Sequence, residues 1–297
     1  MKIALTGANS RVGKTLLAHI LSHSDHTVVA GARSAGSFAE FPAAPRITPV
    51  VIDYGDANSL VAALDAADCL VHLAGILIES KDSTYQSANV DATAAVLKAA
   101  RQAGVTHVIF ISVVGADPQS PNAYFKSKAD AEQLVADCKL SATIIRTPIL
   151  LGAGAAGAAA IQWAASQPKA RLLGGGRYTM HPLDIDDLCA AILNSCNARR
   201  EGTEIHELVG PQAVQYSDLI RMAADLQGRQ IEIGSVPIWL AKLGARLKAL
   251  FRPGGMTPAV IDVITADERV EHNADQELGV NLTPLPLTLK KFITSQR

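Results

Sequence analysis

Three residues in the first half of the chain have the types and the spacing needed to move a proton to or from a carbonyl oxygen. Lys128 follows Tyr124 by four positions, and Ser112 precedes Tyr124 by twelve. Residues four apart lie on one face of a helix, so the phenol and the ammonium are predicted to be neighbours. A free tyrosine has a pKa of about 10, and a nearby positive charge lowers it by favouring the phenolate. We predict that Tyr124 is the acid and base, that Lys128 lowers its pKa and binds ribose hydroxyls, and that Ser112 holds the substrate oxygen.

The elements that must position these side chains are predicted from hydrophobic periodicity. Up to about Leu150, short apolar runs alternate with helical runs; Ser112 ends one predicted strand and Tyr124 begins the next predicted helix. Nearly continuous apolar strands indicate a sheet covered by helices on both faces. The alternation therefore predicts an α/β protein with a doubly wound parallel sheet. The alternative for Tyr124 and Lys128 is an exposed helix start that carries an ordinary pair of neighbours.

A glycine loop separates the first predicted strand from the first predicted helix, which is the context that makes such a motif informative. Gly7 allows a tight turn, Gly13 allows the helix to pack closely on the strand, and the helix N-terminus offers N–H groups to a pyrophosphate. Serine replaces the usual middle glycine. We expect the Ser10 hydroxyl to be able to bind a phosphate and its Cβ to crowd the close approach of that phosphate to the backbone. The alternative is a purely structural turn. The loop residues predicted to bind a dinucleotide are Gly7, Asn9, Ser10, Arg11, Val12 and Gly13.

Residues at the ends of the next strands indicate which dinucleotide is bound. Arg33 follows the second strand, where NAD-binding proteins commonly place an acidic residue that binds the ribose 2′-hydroxyl. A guanidinium suits a 2′-phosphate, and Arg11 lies close in sequence to the same loop, so NADP(H) is predicted over NAD(H). The alternative is two solvated arginines. Asp53 is predicted to accept from the adenine amino group and Ala74 to line the same sheet edge, whereas His72 is interpreted as a core histidine.

Beyond Leu150 the alternation of strands and helices changes. A stretch rich in glycine and alanine covers residues 152–160, a helix is predicted over residues 181–194, and short elements separated by proline and glycine follow residue 207. We predict a dinucleotide-binding domain over residues 1–150 and a smaller C-terminal substrate-binding lobe over residues 151–297, intertwined with the first.

The motifs together resemble the short-chain dehydrogenase/reductase superfamily over most of the chain. The motifs that carry the resemblance are the glycine loop, Ser112, Tyr124-x-x-x-Lys128 and residues 89–93, which read NVDAT. The resemblance implies a Rossmann fold and catalytic roles for the serine, the tyrosine and the lysine, with the tyrosine as acid and base. It also implies a structural role for Asn89, near the start of the helix that follows the fourth strand.

Residues 146–148 (RTP) and 181–187 (HPLDIDD) resemble the extended and atypical branches of that superfamily. Those branches include the nucleotide-holding accessory subunit of respiratory complex I and NmrA-type regulators, and some of their members bind the cofactor without catalysing a reaction. The chain is therefore predicted to be an NADP(H)-dependent oxidoreductase that acts on a small-molecule carbonyl or alcohol. A non-catalytic nucleotide-binding regulator or assembly subunit is the alternative. A sugar-nucleotide epimerase ranks lower, because the second strand lacks the acidic residue and Val113 and Val114 follow Ser112.

Composition and charge exclude several other classes. The 297 residues are 48% hydrophobic and 19% charged, with a formal net charge of −1 at pH 7, which is typical of a globular protein and gives no field that recruits nucleic acid. The four cysteines form no Cys-x-x-Cys pair and have no metal-ligand spacing, so we predict no metal site and a cytoplasmic location. Neither a signal peptide nor a membrane span is predicted, and an oligomer is compatible with the sequence.

Residues 236–251 suggest a surface of a different kind. Apolar and basic residues alternate there at helical spacing, and they include Trp239, Leu240, Lys242, Leu243, Arg246, Leu247, Lys248 and Leu250. Such an amphipathic helix either closes over the small lobe as a lid or rests on a membrane surface or a partner. We prefer the lid, with its apolar side packed on the lobe, because a small lobe needs an apolar core.

Overall fold

The computed structural model describes residues 1–251 and 255–293. The strands are β1 (Lys2–Thr6), β2 (Thr27–Ala32), β3 (Ile47–Val51), β4 (Cys69–His72), β5 (His107–Val113), β6 (Ser141–Thr147), β7 (Leu150–Leu151), β8 (Lys169–Leu173), β9 (Thr179–Met180), β10 (Leu183–Asp184), β11 (Thr203–Glu207), β12 (Val214–Gln215) and β13 (Glu232–Val236). The α-helices are α1 (Arg11–His23), α2 (Ala57–Leu64), α3 (Ala92–Gln102), α4 (Ala123–Asp137), α5 (Ala156–Ser166), α6 (Ile185–Ala198), α7 (Tyr216–Leu226), α8 (Ile238–Phe251), α9 (Pro258–Ile264) and α10 (Leu285–Ile293).

Seven of these strands form one sheet in the order β11-β6-β5-β4-β1-β2-β3, and every pairing in it is parallel. The order reverses between β4 and β1, so the carboxyl ends of these two strands border the crevice in which open α/β sheets bind ligands. The predicted doubly wound parallel sheet is confirmed.

Two apolar clusters cover the two faces of the sheet. One joins α1 and α6 to the sheet through residues such as Leu16 and Leu188, and the other joins α2, α3 and α4 through residues such as Leu60 and Val96. A third cluster, built on α5, α7 and α10, forms a separate apolar core among residues beyond 148. The sheet is therefore held rigidly from both sides, which fixes the ends of its strands relative to one another.

The seventh strand, β11, was not predicted. It lies at the edge of the sheet beside β6, and its sequence TEIHE has no apolar run. Edge strands are partly solvated and need no continuous apolar run, so periodicity does not reveal them. The sheet thus takes a strand from beyond residue 150.

The helix predicted over residues 181–194 begins later than expected. The α6 helix starts at Ile185, and the Asp184 carboxylate caps it by accepting the N–H of Asp186 at 3.0 Å. Pro182 disfavours helical backbone in the residue before it, so His181 stays outside the helix. His181 therefore lies in the connection between β9 and β10.

The preferred interpretation of residues 236–251 is wrong. The α8 helix forms, but its apolar side faces solvent: Trp239 is 68% exposed and Leu247 is 55% exposed. The helix contacts α9 instead, through its opposite side. Within the described residues, no helix is long and apolar enough to cross a membrane.

Candidate active site

The glycine loop between β1 and α1 is shaped by two glycines. Gly7 has a φ of +74°, and a Cβ there would lie 3.1 Å from the backbone N of Ala74. A Cβ on Gly13 would lie 2.5 Å from the carbonyl oxygen of Ala8 and 2.6 Å from that of Gly7. Both positions therefore exclude any side chain, because the neighbouring atoms are backbone and have no room to move.

Ser10 caps the first helix. Its Oγ accepts the N–H of Gly13 at 3.0 Å, and its φ of −66° is ordinary. The first turn of α1 still presents N–H groups that lack intrahelical acceptors, and the Ser10 hydroxyl retains a proton to donate, so the loop keeps the donors that a pyrophosphate needs.

A cavity of about 350 Å³ opens beside this loop. It lies at the carboxyl ends of β1, β2 and β4, and the predicted residues that line it are Gly7, Asn9, Ser10, Arg33 and Ala74. This donor-rich backbone and the arginine at the rim fit the phosphates of a dinucleotide, and the volume falls in the range of small-molecule sites.

Five predicted cofactor residues do not line this cavity, and one of them, Lys128, lies on α4 and is described below. Val12 and Gly13 lie in the first turn of α1, behind the loop. The Arg11 guanidinium lies against Gly154, where any Cβ would overlap it, and the φ of Gly154 is +75°. The Asp53 carboxylate accepts the N–H of Gly55 at 2.8 Å.

Tyr54 is a cavity residue that sequence reasoning missed. Burial raises the pKa of its phenol to about 12, against the opposing effects of the Thr6 hydroxyl and the Arg33 charge. Tyr54 directly follows Asp53, three residues after β3 ends, and this position beside a predicted cofactor residue is the sequence signal that could have identified it. The Tyr54 phenol thus stays neutral beside the guanidinium at physiological pH.

Ser112 lies near the end of β5, and its side chain is buried. Among the residues that the structure describes, no group forms a hydrogen bond with its Oγ. The Thr147 hydroxyl donates to the Ser112 carbonyl at 3.2 Å, which ties the ends of β5 and β6 together. A buried hydroxyl normally has a partner, so the Ser112 side chain is positioned for a group that is not part of the protein.

Lys128 is buried on α4 and reaches the end of β5. Its Nζ donates to the carbonyl of Ile111 at 2.8 Å and lies 4.4 Å from the centre of the Phe110 ring. Nζ also lies 3.9 Å from the position that a Cβ on Gly75 would occupy, just beyond β4. Burial lowers the pKa of Lys128 to about 8, with the Glu132 carboxylate opposing it. The lysine therefore joins the strand that carries Ser112 to the crevice beside β4.

Tyr124 lies in the first turn of α4, where the Asn122 side chain accepts its N–H at 3.0 Å. Burial raises the pKa of the Tyr124 phenol, and the Tyr85 phenol, whose ring centre is 5.8 Å away, raises it further. The prediction that Lys128 lowers this pKa is wrong for the arrangement in the structure. The physical reason is the direction of the ammonium, which points to the Ile111 carbonyl.

Asn89 organises the loop that follows β4. Its Nδ2 donates to the carbonyl of Ile76 at 3.2 Å and to the Ser127 hydroxyl at 2.9 Å, while its Oδ1 accepts the N–H of Ile76 at 2.8 Å. It lies in a π-helical turn, Gln86–Asp91, and such turns are frequent at functional sites. Asn89 therefore joins the β4 loop to α4, which agrees with the structural role that the resemblance implies.

His72 is a core histidine, as interpreted from the sequence. Its Nδ1 lies 2.6 Å from the Thr6 hydroxyl and its Nε2 lies 3.1 Å from the Thr93 hydroxyl, and the ring is buried. Burial lowers the pKa of the imidazole to about 3, and the Lys128 charge adds to this effect.

The His72 pKa predicts a loss of stability in acid. Between pH 6.5 and about 3 the unfolded chain binds a proton that the folded chain does not, so the free energy of unfolding falls as pH falls through this window. At pH 5 the expected loss from this residue is about 2 kcal/mol. Urea unfolding at pH 7 and pH 5 measures it, with His72→Gln as the comparison. An equal loss in the wild type and in His72→Gln contradicts the assignment.

Glu268 and His181 form a polar pair beyond the end of β6, and no sequence pattern marked Glu268. The Glu268 carboxylate accepts the N–H groups of His181 and Ile149, and burial raises its pKa to about 7. Its Oε2 lies 3.8 Å from Nδ1 of His181, which forms no hydrogen bond within the described residues. Ile149 follows Thr147 by two positions, so this pair lies just beyond the end of β6.

The strand order, the glycine loop and the serine–tyrosine–lysine set define an NAD(P)-binding Rossmann protein related to the extended short-chain dehydrogenases/reductases. The chain belongs to the NAD(P)H-binding family, whose profile matches residues 7–195.

Sequence relatives include both enzymes and a respiratory subunit. The chain is 26% identical to 4-hydroxy-2-methyl-3-oxo-4-farnesyl-3,4-dihydroquinoline-1-oxide ketoreductase of Stigmatella aurantiaca, over 94% of the chain and 91% of that protein. It is 25% identical to the mitochondrial NADH dehydrogenase (ubiquinone) 1 alpha subcomplex subunit 9 of Arabidopsis thaliana, over 80% of the chain and 62% of that protein. It is also 25% identical to the ceramide reductase of Caulobacter vibrioides, over 62% of the chain and 58% of that protein.

Solved structures with the same fold include two enzymes that act on sugar nucleotides. The UDP-glucuronic acid 4-epimerase of Bacillus cereus in complex with NAD superposes with a TM-score of 0.78 at 18% identity, over 99% of this chain and 98% of that one. The dTDP-glucose 4,6-dehydratase of Streptomyces venezuelae with NAD bound gives a TM-score of 0.76 at 19% identity, over 100% and 98%. At these identities the likeness concerns the fold.

Proposed function

We propose that the protein is an NADP(H)-dependent oxidoreductase that reduces a carbonyl group, or oxidises an alcohol, on a small molecule. The observation that carries the proposal is the Ser112 hydroxyl, which is buried without a partner among the described residues. It lies next to the Ile111 carbonyl that Lys128 binds. The similarity to a ketoreductase along nearly the whole chain supports this reaction class.

Each residue of the set has a separate task. A bound nicotinamide supplies or accepts the hydride. Because burial raises the pKa of Tyr124, its phenol holds its proton at neutral pH and can donate it to a substrate oxygen. Ser112 donates a hydrogen bond to that same oxygen. Lys128, still largely charged at neutral pH with a pKa of about 8, is placed near Gly75 to bind ribose hydroxyls.

The cofactor-binding residues follow from the cavity. The glycine loop and the first turn of α1 bind the pyrophosphate, and Arg33 at the rim binds a 2′-phosphate. We propose that the Asp53 carboxylate accepts a hydrogen bond from the adenine amino group. Arg11, which lies against Gly154, covers the pyrophosphate from the side of the small lobe.

Replacing Arg33 with glutamine is expected to weaken NADPH binding by about 10-fold or more and to leave NADH binding unchanged, because the lost contact is charge-assisted. Titration of the purified protein with each nucleotide, followed by ligand fluorescence, measures both affinities. Arg101→Gln, an exposed arginine on α3, is the matched control and should bind as the wild type does. If Arg33→Gln weakens the binding of NADPH and NADH equally, or weakens neither, Arg33 does not bind the 2′-phosphate.

The substrate is proposed to carry a long apolar chain. The name of one relative includes a farnesyl group, and another is named for ceramide. We propose that the part of residues 151–297 outside the central sheet binds this substrate, with His181 and Glu268 as polar groups at its entrance. The four cysteines are free thiols, which fits a reducing compartment, and we retain the cytoplasmic location as part of the proposal.

The second proposal is a non-catalytic nucleotide-binding assembly subunit or regulator. The similarity to the Arabidopsis respiratory subunit over 80% of the chain favours it. Retention of the serine, the tyrosine and the lysine favours the enzyme. A sugar-nucleotide epimerase ranks third, since Arg33 replaces the acidic residue of its NAD-binding members. Turnover of a ketone by the purified protein separates the first proposal from the second.

A further inference from the structure

The α8 helix exposes an apolar face to solvent. Trp239 is 68% exposed, Leu240 47%, Leu243 46% and Leu247 55%. At 3.6 residues per turn these four side chains fall within an arc of roughly 100°, so they form one continuous strip along the helix. We call these four residues the α8 strip. Scattered apolar residues are common on surfaces, whereas a contiguous strip marks a site of interaction.

The other side of α8 anchors the helix to the protein. Ala245 is buried, the Lys242 ammonium pairs with the Asp262 carboxylate of α9, and the Ile238 side chain packs where a Cβ on Gly174 would meet it at 3.1 Å. The α8 strip is therefore held outward by the fold.

Positive charge flanks the α8 strip on both sides. By helical position, Arg246 lies beside Trp239 on one flank, and Lys248 lies about 80° beyond Leu240 on the other, so its long side chain must extend toward the strip. The sequence of α8, IWLAKLGARLKALF, contains no acidic residue. An apolar strip between cations, with a tryptophan at its edge, is the pattern of helices that lie in the interface of an anionic bilayer.

The area of the α8 strip argues against a second copy of the chain as its occupant. Its exposed surface is on the order of 500 Å², which is typical of a functional patch. A stable protein–protein interface needs about 800 Å² from each partner, which is more than the α8 strip offers. Such an interface also gives no reason for the cations beside the strip. A bilayer needs no such area, since a few inserted side chains and nearby cations suffice for reversible binding.

We propose that the α8 strip inserts into the headgroup region of an anionic lipid bilayer and that Arg246 and Lys248 bind its phosphates. This orientation is relevant to the active site. The carbonyl of Ala259 in α9 accepts from Asn122 at 2.9 Å, and Asn122 caps the helix that begins with Tyr124. A protein bound through α8 therefore holds the start of α4 one layer of helix away from the membrane. The proposal stands whether or not the protein is an enzyme.

Sedimentation with vesicles tests the proposal. The wild type is expected to bind vesicles of equal parts phosphatidylglycerol and phosphatidylcholine, and to bind phosphatidylcholine vesicles far more weakly. The double variant Leu243→Ser/Leu247→Ser should lose at least about 10-fold in partitioning to both. Arg246→Gln/Lys248→Gln should lose about 30-fold on the anionic vesicles only, since each cation near the surface contributes about fivefold. Leu287→Ser, which changes a leucine 51% exposed on α10, is the matched control and should bind as the wild type does.

A second readout places the strip itself at the bilayer. In a Trp163→Phe background, Trp239 is the remaining tryptophan, and its emission should shift to shorter wavelength when anionic vesicles are added. No binding by the wild type, or equal binding by the leucine variant, overturns the proposal. The proposal is also overturned if the wild type binds no vesicles and forms a dimer that the leucine variant does not form. That result would show that the α8 strip is an interface between two copies of the chain. Because the substituted side chains are exposed, thermal unfolding should change little and will exclude misfolding.

Discussion

Replacing Tyr124 with phenylalanine is expected to lower turnover by about 10²- to 10⁴-fold, which is the usual contribution of a general acid. Tyr124 lies one helical turn before Lys128 on α4, and its phenol is proposed to hold a proton at neutral pH and to release it to a substrate oxygen. Because the phenylalanine ring keeps the contacts with Tyr85 and Phe125, both 5.8 Å away between ring centres, the fold and the cofactor cavity should persist. NADPH affinity should change by less than about 3-fold. The measurement is consumption of NADPH with a ketone substrate, together with a binding titration.

Tyr85→Phe is the matched control. Its hydroxyl donates to the Leu77 carbonyl at 2.8 Å, so its task is structural. Turnover in this variant should stay within about 10-fold of the wild type, since a neutral hydrogen bond contributes roughly 1 kcal/mol. Turnover retained by Tyr124→Phe, or a larger loss in Tyr85→Phe, assigns the proton to another group.

Gly13→Ala is expected to weaken NADPH binding by about 10- to 100-fold, from a backbone shift that costs roughly 1–3 kcal/mol. The added Cβ meets two carbonyl oxygens, of Ala8 and Gly7, at 2.5 and 2.6 Å, and neither can rotate away. The glycine loop must therefore move relative to the first turn of α1, which separates the donors that bind a pyrophosphate. Calorimetric titration with NADPH measures the loss.

Gly244→Ala provides the comparison for that variant. An added Cβ at Gly244 meets no atom within 4 Å, so NADPH affinity should stay as in the wild type. Thermal unfolding of both variants separates a displaced loop from a destabilised fold. Undiminished NADPH binding by Gly13→Ala places the pyrophosphate elsewhere.

Local sequence patterns were sufficient to predict the parts of the fold that are locally determined. The inner strands of the parallel sheet, which are β1, β2, β4, β5 and β6, are largely buried and read as apolar runs. The turn at Gly7 follows from its left-handed backbone. The core position of His72 followed from its place on a buried strand. By contrast, β11 is a polar edge strand, and it can be recognised only once β6 is in place beside it.

The local chemistry of the site depended on tertiary contacts that no spacing encodes. The four-residue interval correctly places Lys128 one turn after Tyr124, but the direction of its ammonium is set by the Ile111 carbonyl and the Phe110 ring, which come from β5. Glu268 could not be predicted because it is more than a hundred residues away from Ser112 in sequence. The exposure of the α8 strip was likewise missed, since an amphipathic pattern does not say which side meets the protein.

The most direct test of the proposed function measures the transfer of deuterium from the nicotinamide to the substrate. The purified protein is incubated with NADPH that carries deuterium at both C4 positions of the nicotinamide and with a panel of ketones, including prenylated and long-chain acyl compounds. Mass spectrometry of the products then counts the deuterium. The proposed reaction predicts one deuterium on the carbinol carbon of each alcohol formed by the wild type, and none above background with Tyr124→Phe. Tight binding of NADPH with no deuterium in any product contradicts the oxidoreductase and favours the nucleotide-binding subunit.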